Sequence, residues 1–217
     1  MQLLPDGAQL FHGVAGDEDL LSLICLFTRR AEAGAGARLS PSRQLRPLLR
    51  GANAVAESVL GAAARAVGAK LFDKNPARNW ALGWHQDRTI AVRERRDVPG
   101  FAQWTIKSGI AHCVPPFTLL ERSLTLRVHL DRVGADNAPL LIAPGSHRLG
   151  AVAEPDIPAA VSRFGAHACL AEAGDIWAYA TPVLHASERA RAPTRRRVLQ
   201  LLYSAETLPG GLEWLGV

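Results

Sequence analysis

Cys25, Cys113 and Cys169 are the only cysteines in 217 residues, and no Cys-x-x-Cys pair occurs. An odd, widely spaced set supplies neither a disulfide framework nor a thiolate zinc site. A reducing cytoplasm is therefore the expected compartment. Long apolar runs are missing too. The longest, Leu20 to Phe27 interrupted by Ser22, falls far short of the ~20 residues a bilayer requires. The opening MQLLPDGAQLF carries an aspartate and no basic region, unlike a secretory leader. Lysine is scarce: Lys70, Lys74 and Lys107 stand among 25 basic residues, the rest being arginine. The net charge of +5 thus comes from scattered arginine in an alanine-rich chain. That reads as compositional bias rather than as a face built for nucleic acid.

What remains is ordinary for a globular domain, with 48% hydrophobic and 21% charged residues. The length suits one domain with a sizeable core. Residues 1–68 read as helical. Asp17 is placed to cap a helix through DLLSLICLFTRRAEA, and GANAVAESVLGAAARAV reads as a second amphipathic helix. After Gly68 the pattern changes to short apolar or alternating runs between turn residues: KLFDK, LGWHQD, SLTLRVHLD, PLLIA, HACLA, DIWAYA and VLQLLYS. Such runs suggest an antiparallel sandwich or barrel, with the helices covering one sheet face. The expected division is one domain, with a helical cover over 1–68, a β core over 69–204 and a tail over 205–217.

The residues that bear chemistry begin with Trp84-His85-Gln86-Asp87, and His185 lies 100 residues further on. Side chains two apart on a strand share a face, so His85 and Asp87 point the same way if 84–87 is extended. Two imidazoles and a carboxylate on one face of a metal are the ligand set of non-haem Fe(II) oxygenases. His-x-Asp alone is a weak signal; with seven histidines in the chain, roughly 0.3 pairs arise by chance, and any motif match is a hypothesis. A second pair, His129-x-Asp131, is the alternative ligand set. Its Asp131 precedes Arg132 and the turn-rich VGADN, which reads as a strand end in solvent.

The context supplies the rest. WHQD is followed by the hairpin-like SLTLRVHLDRVGADNAPLLIAPGSH, then by AGDIWAYATPVLHAS and the basic strand RRRVLQLLYS. In this order the chain resembles the phytanoyl-CoA dioxygenase family of Fe(II)- and 2-oxoglutarate-dependent oxygenases, over roughly residues 68–204. The resemblance implies a mainly β fold, a double-stranded β-helix (jelly-roll) with N-terminal helices. It implies that His85, Asp87 and His185 hold Fe(II). It implies that Arg196, eleven residues past the second histidine, pairs with the far carboxylate of 2-oxoglutarate, helped by Ser187. Lys70 and His129 fall where the family lines the cosubstrate, although their residue types differ from better-known members. Lys74 matches a common lysine after the first strand. O2 is the remaining cosubstrate.

These residue types suit that chemistry. An arginine makes a charge-assisted, bidentate pair with a buried carboxylate. A carboxylate at Asp87 fills the position a halide would need, which favours hydroxylation or desaturation over halogenation. Arg195 and Arg197 should point to the opposite strand face and be solvated. Trp104 and Phe101 either wall the substrate pocket or pack in the core. His147 reads as a turn residue; His12, His112 and His167 read as structural or surface. A small organic molecule is the expected substrate, with no membrane partner. Two other readings stay open. One is a nucleic-acid dealkylating oxygenase, though the second arginine of such enzymes is replaced by Leu202. The other is a metal-binding jelly-roll without turnover, which has no need of both the triad and Arg196.

Overall fold

A strand that is apolar on one face only must bury that face, and the computed structural model, which describes residues 5–28 and 36–217, shows where each face goes. β1 (Ala8–Phe11), α1 (Asp17–Thr28) and β2 (Ala37–Leu39) precede α2 (Arg50–Leu60) and the long β3 (Arg65–Lys74). β4 (Leu82–His85), β5 (Ile90–Val92), β6 (Ala102–Lys107) and β7 (Ile110–Val114) follow, then α3 (Phe117–Glu121) and β8 (Ser123–His129). The chain continues through β9 (Leu140–Ile142), α4 (Ile157–Phe164), β10 (His167–Cys169), β11 (Ile176–Ala180), β12 (His185–Ser187) and β13 (Arg196–Ser204). Six strands form a major sheet in the order β1-β11-β8-β13-β3-β2, and four form a minor sheet, β10-β9-β12-β4. Every pairing is antiparallel. This is the jelly-roll that the family resemblance implied, built from the short antiparallel strands of the sequence pattern.

The first 68 residues are not all helical. β1 and β2 become the two edges of the major sheet. The second helix stops at Leu60 instead of running to Val67. Gly61 follows with φ 89°, a conformation that favours glycine, and Arg65 already belongs to β3. The expected end of the first helix, after Thr28, lies outside the described residues. α1 and α2 lay Leu23, Phe27, Val55 and Val59 on Leu71, Leu126, Val128, Leu199 and Tyr203. Truncating a core aromatic such as Phe27 to alanine costs about 3–5 kcal/mol. Among the described residues, no helix is long and apolar enough to cross a membrane.

The helices take the apolar face of the major sheet, so its other face turns inward and is polar. Arg196 lies opposite Lys74, and Gln200 opposite both Lys70 and Arg127. A third sheet, β5-β7-β6, went unanticipated. It closes one end of the barrel together with Trp214, which bridges to Val92. Phe101 and Trp104 join Val67, Ile90 and Leu120 in the core beneath it, which favours their packing role.

Candidate metal and cosubstrate site

Pairing of β12 with β4 sets His185 directly opposite His85, and the two rings stand 4.2 Å apart between centroids. β4 ends at His85, so Asp87 lies just past the strand rather than on it. The chain nevertheless stays extended enough to return Asp87 to the same place. Ligand atoms from His85, Asp87 and His185 all fall within 4.8 Å of one another. Each imidazole is fixed by its own backbone: Nδ1 of His85 meets the Gly83 carbonyl at 2.7 Å, and Nδ1 of His185 meets that of Val183 at 3.0 Å. A carbonyl can only accept, so Nδ1 carries the proton and Nε2 offers a lone pair. Burial, aided by His85 and opposed by Asp87, pushes His185 down to about 4. It is therefore neutral at physiological pH, as a ligand must be.

Asp87 is held from two sides. Gln200 donates from Nε2 to its Oδ2 at 3.2 Å, and the Lys70 ammonium lies 3.7 Å from Oδ1. Burial raises its carboxyl pKa. The charges of Lys70, then His185, His85 and Arg127, outweigh that and keep it well below the usual carboxylate range. Gln200 is fixed in turn by Arg127, whose Nη1 donates to its Oε1 at 3.1 Å. Arg127 and Gln200 were missed in the sequence. The signal was the alternation Thr125-Arg127-His129, polar on every second residue of a strand buried along its whole length.

Further along the barrel, Arg196 is 1% exposed and donates through Nη1 to the Ala138 carbonyl at 2.5 Å. Lys74 donates to Ser187 Oγ at 2.9 Å and to the Glu188 carbonyl at 2.8 Å. Arg196 Nε, Arg127 Nε and both ring nitrogens of His129 are buried without a partner among the described residues. Buried polar atoms are nearly always paired, and here several cationic or donor groups share one interior. Burial and the Arg127 charge pull Arg196 down to about 9. Burial, Arg196 and Arg127 pull Lys74 down to about 7. The same field, with burial foremost, takes His129 to about 3. An interior this positive, with orphaned donors, fits a dianion such as 2-oxoglutarate. The free Nε2 pair with Asp87 fits a divalent metal.

The sequence grouped Arg196, Ser187, His129 and Lys70 around the cosubstrate; the structure brings Arg196, Ser187 and His129 together, with Lys74 beside them. Lys70 is different. It sits four residues along β3 from Lys74, roughly 13 Å at strand rise, and contacts Asp87 rather than Arg196. The alternative pair does not assemble. Asp131 is taken by Arg197, with Oδ1 accepting from Nη2 at 2.6 Å and Oδ2 from Nε at 2.9 Å. Arg197 is consequently buried, not solvated, and Asp131 is no free strand end. Arg195 leans on Asp73 at 3.1 Å. Nδ1 of His147 is buried with no partner among the described residues.

Comparison with known proteins settles the family. The sequence profile described as phytanoyl-CoA dioxygenase (PhyH) matches residues 28–198. The chain belongs to the phytanoyl-CoA dioxygenase family. Its members are Fe(II)- and 2-oxoglutarate-dependent oxygenases, and this one keeps the His-x-Asp…His triad of the family. Solved structures agree in fold. EctD from S. alaskensis, with 2-oxoglutarate and 5-hydroxyectoine bound, superposes with a TM-score of 0.69 at 18% identity, over 98% of this chain and 77% of that one. The non-heme alpha ketoglutarate dependent epimerase SnoN from nogalamycin biosynthesis gives 0.66 at 16% identity, over 95% and 86%. HygX from Streptomyces hygroscopicus, with nickel and 2-oxoglutarate, gives 0.63 at 14%, over 92% and 83%. Among curated proteins, none is similar enough in sequence to match.

Proposed function

We propose that this member of the phytanoyl-CoA dioxygenase family hydroxylates a small organic substrate, coupled to conversion of 2-oxoglutarate to succinate and CO2. One observation carries the reading. Two imidazoles with free Nε2 atoms and one carboxylate converge within 4.8 Å, beside an interior whose orphaned donors call for an anion. His85, Asp87 and His185 would hold Fe(II). Arg196, with Ser187 and Lys74, would hold the far carboxylate of 2-oxoglutarate. His129 would line its path. Iron and 2-oxoglutarate supply, when bound, the activation of O2 that oxidises a substrate C–H bond.

The residues of the chain do the remaining work. The Gly83 and Val183 carbonyls fix the imidazole tautomers. Gln200 and Lys70 orient Asp87 and keep it ionised. Arg196 sits where water is excluded, so its pairing with a carboxylate is strong. The cleft on the open side of His85 and Asp87 holds about 770 Å3 and is walled by Trp84, Arg88, Lys107, Glu154 and Ile157. That volume suits a small molecule and favours it over a nucleic-acid strand.

Anaerobic protein with Fe(II) and 2-oxoglutarate should develop a visible metal-to-ligand charge-transfer band. Folded, iron-loaded protein that shows none would sink the oxygenase reading. Mass spectrometry of products then separates the outcomes: a gain of one oxygen supports hydroxylation, whereas an unchanged mass with inverted stereochemistry indicates epimerisation.

A further inference from the structure

A second group of cations lies on the Lys70 side of Asp87, apart from Arg196, Lys74 and Ser187. Arg38 on β2 is paired directly across from Lys70 on β3. Like charges in that position repel. Arg38 makes no ion pair or hydrogen bond among the described residues, and its Nε is fully covered without a partner. The three-stranded sheet faces this pair. Its register sets Lys107 opposite Ile110 and Thr105 opposite His112, so Lys107, Ile110 and His112 share one side. His112 is 3% exposed, and its Nδ1 donates to the Ile110 carbonyl at 2.9 Å, so its Nε2 can only accept and adds no donor to the pocket. The groups feel one another: burial lowers the pKa of both Lys107 and His112, and Arg38 lowers each further.

Between these walls is a narrow pocket with about 50 Å3 of space open to the centre of a water molecule, room for roughly three to five waters. Arg38, Lys70 and His112 line it, along with apolar Ile110, Leu202 and Leu215; Asp87 is the sole carboxylate on its wall. Asp87 and Thr89 also line the wide outer cleft, to which Lys107 contributes its charge, with Glu154 and Arg88 on the far rim. The pocket and the cleft therefore meet at the metal ligand.

We propose that this pocket is a substrate subsite for a compact oxyanion, a carboxylate or a phosphate, held by Arg38 and Lys70, with the charge of Lys107 at the adjoining cleft. It rests on the oxygenase reading only for what happens next: the body of the substrate crosses Asp87 into the cleft, so the carbon oxidised lies a few bonds from the anion. The anion relieves the Arg38–Lys70 repulsion and pairs the orphaned Nε. The apolar wall accepts the first carbons of the chain.

The test is calorimetric titration of anaerobic protein saturated with Fe(II) and 2-oxoglutarate, using four probes of matched body: hexanoate, hexyl phosphate, hexanamide and hexylammonium. At least one anion should bind at millimolar concentration or better, at least about tenfold tighter than hexanamide, the scale of a charge-assisted contact. Hexylammonium should not bind. The stronger anion identifies the head group. Arg38→Leu and Lys107→Met should each weaken the anion by at least about tenfold and leave the 2-oxoglutarate titration of the charge-transfer band unchanged. Arg38→Lys should rescue most of the loss and separates charge from folding. The proposal is overturned if hexanamide binds as well as the anions, or if neither anion binds. It is also overturned if the two substitutions weaken 2-oxoglutarate as much as the probe, since the cations then serve the cosubstrate. If the charge-transfer band never forms, the same titration on metal-free protein still reads the pocket, so failure of the oxygenase reading is told apart from failure of the subsite.

Discussion

β4 and β8 each end on a histidine that is followed, two residues later, by an aspartate. Past His85 the chain returns Asp87 to the barrel mouth, where Gln200 and Lys70 receive it. The cross-strand partner of His85 is His185, so a third ligand is at hand. Past His129 the partner strand offers Val198 opposite the imidazole, and Arg197 captures Asp131 with two side-chain bonds and its own backbone amide. His129 is left facing Arg127 and Arg196. The spacing of His-x-Asp is the same in both places. The residue across the strand decides whether it becomes a metal site or an ion pair.

Exchanging aspartate for alanine in each pair should separate them most sharply. Asp87→Ala removes the charge that holds Fe(II), and turnover and the charge-transfer band should both vanish. Asp131→Ala should keep the band. It leaves Arg197 without its partner, at roughly 3 kcal/mol for a buried pair, or about 6–12 °C of Tm for a chain of this size. Equal loss of iron binding in both variants would break the comparison.

The neighbouring arginines extend it. Arg196→Leu should raise the apparent 2-oxoglutarate constant at least about a hundredfold, given about 3–5 kcal/mol for truncating one member of a buried charge pair and about 1.4 kcal/mol per decade. Arg197→Leu should leave that constant alone and lose stability like Asp131→Ala, with the double variant no worse than either single one. Sensitivity of 2-oxoglutarate to Arg197 instead would mean that the inward face of β13 has been misassigned.

Gln200→Leu sharpens the contrast at lower amplitude. It deletes the donor that orients Asp87, so Fe(II) affinity should fall about tenfold, the lower range for a residue that positions a ligand. Metal titration reads this directly. An unchanged affinity would leave Lys70 as the group that holds the carboxylate.

A more gradual effect is in pH. Folded His129 stays neutral down to about 3, whereas unfolded histidine takes a proton near about 6.5. Below that value the unfolded chain binds more protons, so the contribution is present above about 6.5 and is lost as pH falls toward 3. His129→Leu should flatten the slope of metal-free stability between about pH 6.5 and pH 4 by up to ~1.4 kcal/mol per unit. Denaturant melts across that range measure it, and an unaltered slope rules the assignment out.

The triad and Arg196 were legible because their residue types and order are peculiar to one chemistry. β13 was legible because the apolar run VLQLLYS directly follows the three arginines. Asp131 and Arg197 were misread as solvated because an ion pair between two strands 66 residues apart leaves no local pattern. The β5-β7-β6 sheet escaped notice because its residues alternate weakly around Pro99-Gly100 and it borrows Trp214 from the far end of the chain. Arg127 was hidden by the habit of reading polar strand residues as outward. In this barrel the helices claim the apolar face, and the polar side chains are the inside.

The scarcity of lysine has a practical result. All three ε-amines, Lys70, Lys74 and Lys107, belong to the barrel interior or its mouth, while arginine carries the outer charge. Acylating reagents therefore meet no lysine decoys on the outside. Lys107, half-buried at the end of β6, lines the cleft, and whatever fills the mouth will shield it. A protease that cuts only after lysine has to open β3 or the end of β6 before it can cut at all. Lysine chemistry, applied to the intact protein, becomes a footprint of its active centre.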